Sequence, residues 1–502
     1  MLRHLPLPQC PYIMSRMLKL VLPAMILVTS SKVTAETPPP APYGPLPTAR
    51  QLEWQKMEFI GFAHFTVDTF TGKEWGYGDE SEDVFNPSAF DANQIAGVAR
   101  DAGMKELILT CKHHDGFCLW PSAFTAHSVK NSSWRNGAGD VVKEISKACR
   151  KKGLKFGIYL SPWDRNSAIY GTPEYITYYR DQLTELLTKY GTISEVWFDG
   201  ANGGDGYYGG LRATRSIDNR TYYDWPDTIK LVRKLQPMAC MFSDAGPDIR
   251  WVGNEGGTAG DPCWDTLNLS DFRPGGADSA RLNRGDRPGT DWAPAECDVS
   301  IRPGWFYHPN EDGQVKSPKQ LLDIYFNSVG RGATMLLNIP PDQRGQIHDP
   351  DIACLKEFAR KRDAIFANDL ARNAHVIASN VRGHAHRYRA ENMLDENRDT
   401  YWATDDGVTN ASVILTFRKP IIFNVVRLRE YLPLGQRVEG YALDWWREMD
   451  AKWVEFDKGE SIGNCRLVRA KDMATTMVRL RITKAAVCPA LSEIGVFREI
   501  KY

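Results

Sequence analysis

Three observations predict an α/β protein. Strand-length apolar runs alternate with amphipathic helices over about 300 residues, no G-x-G-x-x-G turn leads directly from one of those runs into a helix, and short β runs replace the alternation after about residue 370. The fold class they give is a (β/α)8-type barrel followed by an all-β jelly-roll sandwich domain. The expected boundaries are 49–366 for the barrel and 370–502 for the β domain.

The elements follow in order. FIGFAHF (Phe59–Phe65) reads as a first strand and MKELILTC (104–111) as a second, the latter running into KHHDG. In DVVKEISKACRKKG, Asp140 caps a helix whose Val141, Val142, Ile145, Ala148 and Cys149 share one face. Lys147, Arg150, Lys151 and Lys152 load its negative end and Gly153 stops it. The strand Lys155–Leu160 comes next. A helix then opens at Thr172 and Pro173 and stops at Gly191, and SEVWFDGANGG gives a strand entering a Gly-rich loop. MACMFSD (Met238–Asp244) and ATMLLNI (Ala333–Ile339) read as later strands, the last preceded by the helix SPKQLLDIYFNSVGRG. Strand–helix alternation of this kind implies parallel strands joined by right-handed crossovers.

At 502 residues the chain has room for about three domains of ordinary size, but a barrel absorbs 250 or more in one. Lys+Arg (62) equals Asp+Glu (62), which argues against a polyanion partner such as nucleic acid. The 15 Trp, 20 Tyr and 20 Phe supply the flat apolar faces that sugars stack on, though aromatic cores use them too.

The N-terminus reads as a signal peptide over residues 1–35. Arg16 and Lys19 precede the apolar run Leu20–Val28, and small residues lead to a cut after Ala35; Met14 or Met17 is the better start. A Pro-rich leader over 36–48 follows. No later stretch is apolar enough to span a bilayer, so the expected location is exported, periplasmic or secreted. Nine cysteines remain after Cys10, scattered and without metal-like spacing; Cys111 and Cys118 are near neighbours, yet buried free thiols are the expectation.

A barrel puts its chemistry at the C-terminal ends of its strands. Those ends carry His64; then His113, His114 and Asp115; then Tyr159, Ser161 and Trp163; then Trp197 and Asp199; then Asp244, Asp248, Arg250 and Glu255. A metal site built from His64, His113, His114 and Asp199 is the first rival. Adjacent histidines on a strand point to opposite faces, and the strand-end histidines form neither H-E-x-x-H nor H-x-H, so no catalytic metal is expected. No G-x-S-x-G in the strand–helix region marks a serine hydrolase. Paired carboxyls point to glycoside cleavage, with Asp199 as nucleophile at the end of EVWFD. Glu255 in VGNEGG is the expected acid, and Glu296 in APAECDVSIRPGWFYH competes with it.

The segments AHFTVDTFTGKEWG, TCKHHDGFCLWPSAFTAHSV, GIYLSPWDR, EVWFDGANG and GPDIRWVGNEGG, continued by CDVSIRPGWFYH and LLNIPPDQRG, resemble the α-L-fucosidases of glycoside hydrolase family 29. W-V-G-N-E is most similar to the subgroup acting on α-1,3/1,4 linkages. The resemblance implies a retaining double displacement without a catalytic cofactor on fucosylated oligosaccharides or glycoprotein glycans. It implies Asp199 as nucleophile and Glu255 as acid/base, with His64, Glu74, Trp75, His113, His114, Tyr159 and Trp197 around the sugar. Another retaining exo-glycosidase, or an inactive glycan-binding protein on the same scaffold, are the alternatives.

The tail, SVILTF, NVVRLREYL, GYALDWW, KWVEFD, TMVRLRIT and EIGVFR, is expected to fold as a sandwich of short strands. ENMLDENRDTYWATDDG resembles the opening of discoidin-type (factor 5/8 C-terminal) modules, in which Asp395, Asn397 and Thr400 stand where a structural Ca²⁺ is often held, while capping of their own turn is the favoured reading of the three residues. The expected role of the module is to pack on the barrel and extend the substrate cleft.

Overall fold

The computed structural model describes residues 36–276 and 278–500; the expected signal peptide lies outside them. Eight parallel strands close a barrel: β1 (Phe59–Ala63), β2 (Glu106–Lys112), β3 (Lys155–Leu160), β4 (Glu195–Trp197), β5 (Cys240–Ser243), β6 (Ile249–Trp251), β7 (Ala295–Ser300) and β8 (Thr334–Asn338). They pair in strict chain order, and β1 meets β8 through Phe59↔Met335 to Phe62↔Asn338. Helices α1 (Ala49–Gln55), α2 (Ala92–Asp101), α3 (Val141–Lys152), α4 (Glu174–Lys189), α5 (Trp225–Leu235), α6 (Pro318–Asn327) and α7 (Asp349–Phe366) accompany them. Asp140 caps α3 through Lys143 N, and Gly153 ends it in the left-handed conformation, as the sequence predicts.

The period of two along each strand sorts the barrel interior into layers. Glu106, Glu195 and Glu296 lie lowest; all three are fully buried. Phe62, Ile108, Tyr159, Trp197, Phe242 and Leu336 form an apolar layer above them. Two residues further on, at His64, Asp199, Asp244 and Asn338, the interior turns polar, and on β7 it does so one pleat earlier, at Asp298, which pairs with Leu336. The sequence therefore switches from packing to chemistry within one pleat at each strand end.

Two barrel strands, β6 and β7, escape the sequence reading because their residues are mixed in polarity. No helix separates β5 from β6; residues 244–248 drop back so that Ile249 lies beside Phe242. This corrects the placement of two residues. Asp248 accepts from Met241 N at 2.8 Å and pairs with Arg50 at 3.0 Å and with Arg233, at the beginning of β5 rather than at its end. Arg250 is fully buried and donates to the carbonyls of Leu282 and Ala293, outside the pocket.

The C-terminal domain is a seven-stranded antiparallel sheet: β9 (His375–Ala378), β10 (Trp402–Ala403), β11 (Ala411–Glu430), β12 (Val438–Arg447), β13 (Lys452–Gly459), β14 (Arg466–Ala485) and β15 (Ala490–Phe497). SVILTF and NVVRLRE are not separate strands. They belong to one 20-residue strand, β11, whose pairing with β14 shifts register between Thr416 and Ile421 and again between Phe423 and Val425. Such irregularities bend a strand and let one strand serve two stretches of core.

This domain covers the N-terminal mouth of the barrel. Glu58, just before β1, pairs with Arg398 and Arg429, and Arg429 continues to Glu493 at 2.8 Å. Arg466 grips Asp261 through both terminal nitrogens at 2.8 and 2.9 Å, Asn464 donates to Gln55 O at 2.9 Å, and Leu467 N reaches Gly330 O at 2.9 Å. The leader is docked as well: Tyr43 N donates to Leu434 O, and Arg437 donates to Ala41 O. The expected extension of the substrate cleft by the module is therefore corrected, because the domain packs at the end opposite the polar strand termini. At the Asp395 turn, Asp395 accepts from Asn397 N and Thr400 Oγ1, and Asn397 Oδ1 accepts from Asp399 N, so these oxygens cap their own turn. All nine described cysteines are buried and free, Cys111 and Cys118 included. Among the described residues no helix is long and apolar enough to cross a membrane.

Candidate active site

The polar strand ends open on a cleft of about 210 Å³ lined by Phe62, His64, Trp75, His113, His114, Trp197, Asp199, Gly200, Ala201, Asp244, Trp251, Glu255, Asp298 and Trp305. Of the nine residues expected at the site, seven line it. Tyr159 and Glu74 do not, and each reaches the cleft through a neighbour.

Asp199 follows β4 by two residues. Its Oδ1 accepts from Ala201 N at 2.7 Å, and its Oδ2 accepts from the Tyr159 hydroxyl at 2.9 Å, with His114 Nε2 at 3.7 Å. Gly200 brings the backbone close against Asp244, where a Cβ would have no room. Burial raises the Asp199 pKa; Ala201 N, His113 and the Tyr159 hydroxyl oppose this, and the charge of Glu255 adds to it. Tyr159 is fully buried beneath Asp199, stacked on Trp197 at 5.4 Å.

Glu255 is exposed on the loop after β6, and its Oε2 accepts from Trp305 Nε1 at 3.2 Å. The loop is fixed rather than loose. Asn254 Oδ1 accepts from Gly256 N at 3.0 Å, its Nδ2 donates to Thr258 O at 2.8 Å, and Gly257, at φ +68°, sits where a Cβ would lie 2.8 Å from Ile324 and 2.9 Å from Val299. This explains the last glycine of VGNEGG.

Glu296, the competitor, is outside the cleft. It lies two residues before Asp298 on the same face of β7, about 7 Å deeper into the barrel. Its Oε1 accepts from Trp197 Nε1 at 2.8 Å, and burial pushes its carboxyl up to about 8. Glu195 beside it accepts from Trp54 Nε1 at 2.6 Å, and burial, reinforced by Glu296, raises its carboxyl well above the ordinary value. Glu296 is a floor residue that pins Trp197.

Glu74 is engaged with a loop. Its Oε2 accepts from Trp305 N at 2.7 Å, and its Oε1 takes Phe306 N at 3.3 Å and His308 Nε2 at 2.5 Å. It thereby holds Trp305, which in turn holds Glu255. Trp75 projects into solvent, 53% exposed, edge-on to His114 and Trp163.

The three histidines form a buried wall. His64 Nδ1 meets Asn338 Oδ1 at 3.0 Å, His114 Nδ1 meets Ser161 Oγ at 2.7 Å, and His113 Nδ1 lies 3.8 Å from Asp68 Oδ2. Burial lowers all three pKa values, those of His64 and His114 well below the ordinary value. Behind them Asp68, His113 and Asp115 stand close enough for one cation to bridge them. Burial pushes both carboxyls up to about 7, so protonation near neutrality relieves their repulsion.

Trp251, Trp305 and Asp298 line the cleft without having been expected there. Trp251 Nε1 donates to Asp298 Oδ1 at 2.8 Å, and burial, reinforced by Glu255, holds the Asp298 pKa well above its ordinary value. The alternation in AECDVS, carboxyls at positions two apart, was the available signal.

Known proteins fit this geometry. The α-L-fucosidase family model matches residues 47–360. Alpha-L-fucosidase 1 of Arabidopsis thaliana is 44% identical over 466 residues, covering 92% of this chain and 89% of that protein. A glycoside hydrolase 29 family member from an unknown rumen bacterium superposes with a TM-score of 0.82 at 41% identity, covering 92% of this chain and 78% of the other. A Ruminococcus gnavus GH29 fucosidase in complex with fucose does so with a TM-score of 0.85 at 32% identity, covering 94% and 98%. With a closed barrel, a carboxyl-rich cleft at its C-terminal end and a relative 44% identical over 89% of its own length, the chain belongs to the α-L-fucosidase family of glycoside hydrolases.

Proposed function

We propose that the protein releases terminal α-L-fucose, α-1,3- or α-1,4-linked, from glycans by a retaining double displacement. The observation that carries this is the placement of Asp199 and Glu255 on one cleft, each held by a different aromatic donor, Tyr159 and Trp305. Asp199 attacks the anomeric carbon as the carboxylate, helped by the Tyr159 and Ala201 donors. Glu255, half in solvent, gives a proton to the leaving oxygen and then takes one from water. Trp197, Trp251 and Trp305 offer aromatic faces to the apolar side of the sugar, and Trp75 stands at the rim where the next sugar leaves the cleft.

The test is to offer an aryl α-L-fucoside and a branched oligosaccharide carrying α-1,3/1,4-linked fucose, and to follow the anomer released by NMR. Initial release of the α-anomer supports retention; initial release of the β-anomer rejects it. No release from either substrate rejects the activity.

We also propose that the chain is exported after cleavage at Ala35, supported by the basic, apolar, small-residue order of residues 16–35; the N-terminal residue of the secreted form tests it. The C-terminal domain is proposed to be discoidin-like. A structural Ca²⁺ at Asp395, Asn397 and Thr400 would have to compete with the turn-capping hydrogen bonds that these oxygens make, and a lower melting temperature in EDTA is its expected sign.

A further inference from the structure

Two of the cleft's imidazoles have their tautomers fixed by partners that can only accept. The Trp305 carbonyl takes a hydrogen from Asn338 Nδ2 at 2.7 Å, and Ser300 Oγ takes the other at 2.9 Å. The amide orientation is therefore set, and Asn338 Oδ1 is the atom facing His64. An amide oxygen only accepts, so His64 Nδ1 carries the hydrogen. The same logic runs through Ser161. Its hydroxyl donates to the Trp163 carbonyl at 2.7 Å, which leaves its lone pairs for His114 at 2.7 Å, so His114 Nδ1 also carries the hydrogen.

We infer that His64 and His114 both present a bare Nε2 lone pair to the cleft, so that the sugar hydroxyls facing them must act as donors and the cleft selects a neutral sugar with those hydroxyls unsubstituted. This rests on the reading that the cleft takes the fucosyl ring. The surrounding donors point the same way. The N–H groups of Trp197, Trp251 and Trp305 go to Glu296, Asp298 and Glu255, and the Tyr159 hydroxyl goes to Asp199. No Lys or Arg is among the residues lining the cleft. The wall is thus rich in acceptors and has no cation for a uronate or a sulfated sugar. O-methylation or O-acetylation of a hydroxyl would bring an oxygen with no hydrogen against a nitrogen lone pair. Burial, which keeps both rings neutral, removes the imidazolium form that would restore a donor at Nε2.

The experiment has two arms. The first uses the full chain labelled with ¹⁵N-histidine and reads long-range ¹H–¹⁵N correlations, with the two rings identified by the signals lost in His64→Gln and His114→Gln. The expected pattern is Nδ1–H with an unprotonated Nε2 for both rings; Nε2–H in either ring overturns the inference. The second measures fucose and its 2-, 3- and 4-position deoxy, deoxyfluoro and O-methyl analogues as competitive inhibitors. Fluorine keeps the size of a hydroxyl but cannot donate. At the positions facing the two rings the fluoro compound is expected to lose about tenfold in affinity, as the deoxy compound does. Fluoro compounds that bind like fucose at every position overturn the inference. Failure of fucose itself to bind rejects the fucosidase reading instead, and the spectra still decide the tautomers.

Discussion

The Tyr159 hydroxyl donates to Asp199 Oδ2 at 2.9 Å from beneath the cleft, so the proposed nucleophile is held by a residue that does not itself line the cleft. That bond favours the carboxylate and opposes the rise that burial imposes on Asp199. Tyr159→Phe is therefore expected to raise the Asp199 pKa and shift the acid limb of the kcat/KM profile to higher pH, with kcat lowered about tenfold or more. An unmoved acid limb would mean that the hydroxyl serves packing alone.

Asp199→Ala is expected to lose several orders of magnitude in turnover on an aryl fucoside. Added azide should restore part of it with inverted configuration, because the small anion attacks from the vacated face. Near-normal turnover in this variant would remove Asp199 from the role.

The sequence made the strand ends legible because each apolar run stops at a polar residue with the right period. His64, His113, His114 and Asp199 follow from that rule alone. Asp248 and Arg250 met the same rule and are structural, because β5 and β6 are joined without a helix and the chain has returned to the far end of the barrel by residue 248. Glu74 and Tyr159 show a second limit. A motif places a residue near a site, but whether its polar atom faces the cleft or a neighbour depends on which donors the fold brings to it. For Glu74 those donors come from residues 305–308, more than 200 positions away.

Glu106, Glu195 and Glu296 beneath the apolar layer make stability pH-dependent. Glu106 is pushed up to about 7 and Glu296 to about 8, both by burial first, against an ordinary glutamate value near 4.5. A carboxyl with a raised folded pKa stays protonated in the folded chain after it has ionised in the unfolded one. Its contribution is complete below about pH 4.5 and is lost as pH rises toward 8. The melting temperature is expected to fall across that window, and Glu296→Gln, which keeps an acceptor for Trp197 but does not ionise, should flatten the fall. A variant with the same slope as the parent would place the effect elsewhere.

A chain ending at Phe366 is expected to lose stability and turnover together. It uncovers Glu58 and Asp261, removes their arginine partners Arg398, Arg429 and Arg466, and exposes the barrel side of a contact that includes Phe366 against Phe497 at 5.2 Å. Breaking buried pairs by removing one partner is strongly destabilising. Loss of turnover on glycans with an intact melting temperature and full turnover on an aryl fucoside would instead give the domain a direct part in substrate binding.

Glu255 and Glu296 are separated by leaving-group dependence. An activated aryl fucoside needs little protonation of its departing oxygen, whereas a sugar leaving group needs it fully. Glu255→Ala is expected to lose about 100-fold or more on an oligosaccharide and far less in the first step on the aryl substrate. Glu296→Gln should affect the two substrates by the same factor, because its carboxyl meets Trp197 and no reacting atom. Trp305→Phe provides the intermediate case. It keeps an aromatic face but removes the N–H that meets Glu255 at 3.2 Å, so the proposed acid is no longer aimed. Its loss should follow the Glu255 pattern at smaller amplitude, and Glu74→Ala, which frees the Trp305 backbone, should resemble it. If instead Glu296→Gln shows the steep dependence on the leaving group and Glu255→Ala does not, the acid works from the barrel floor and the exposed loop carries only binding.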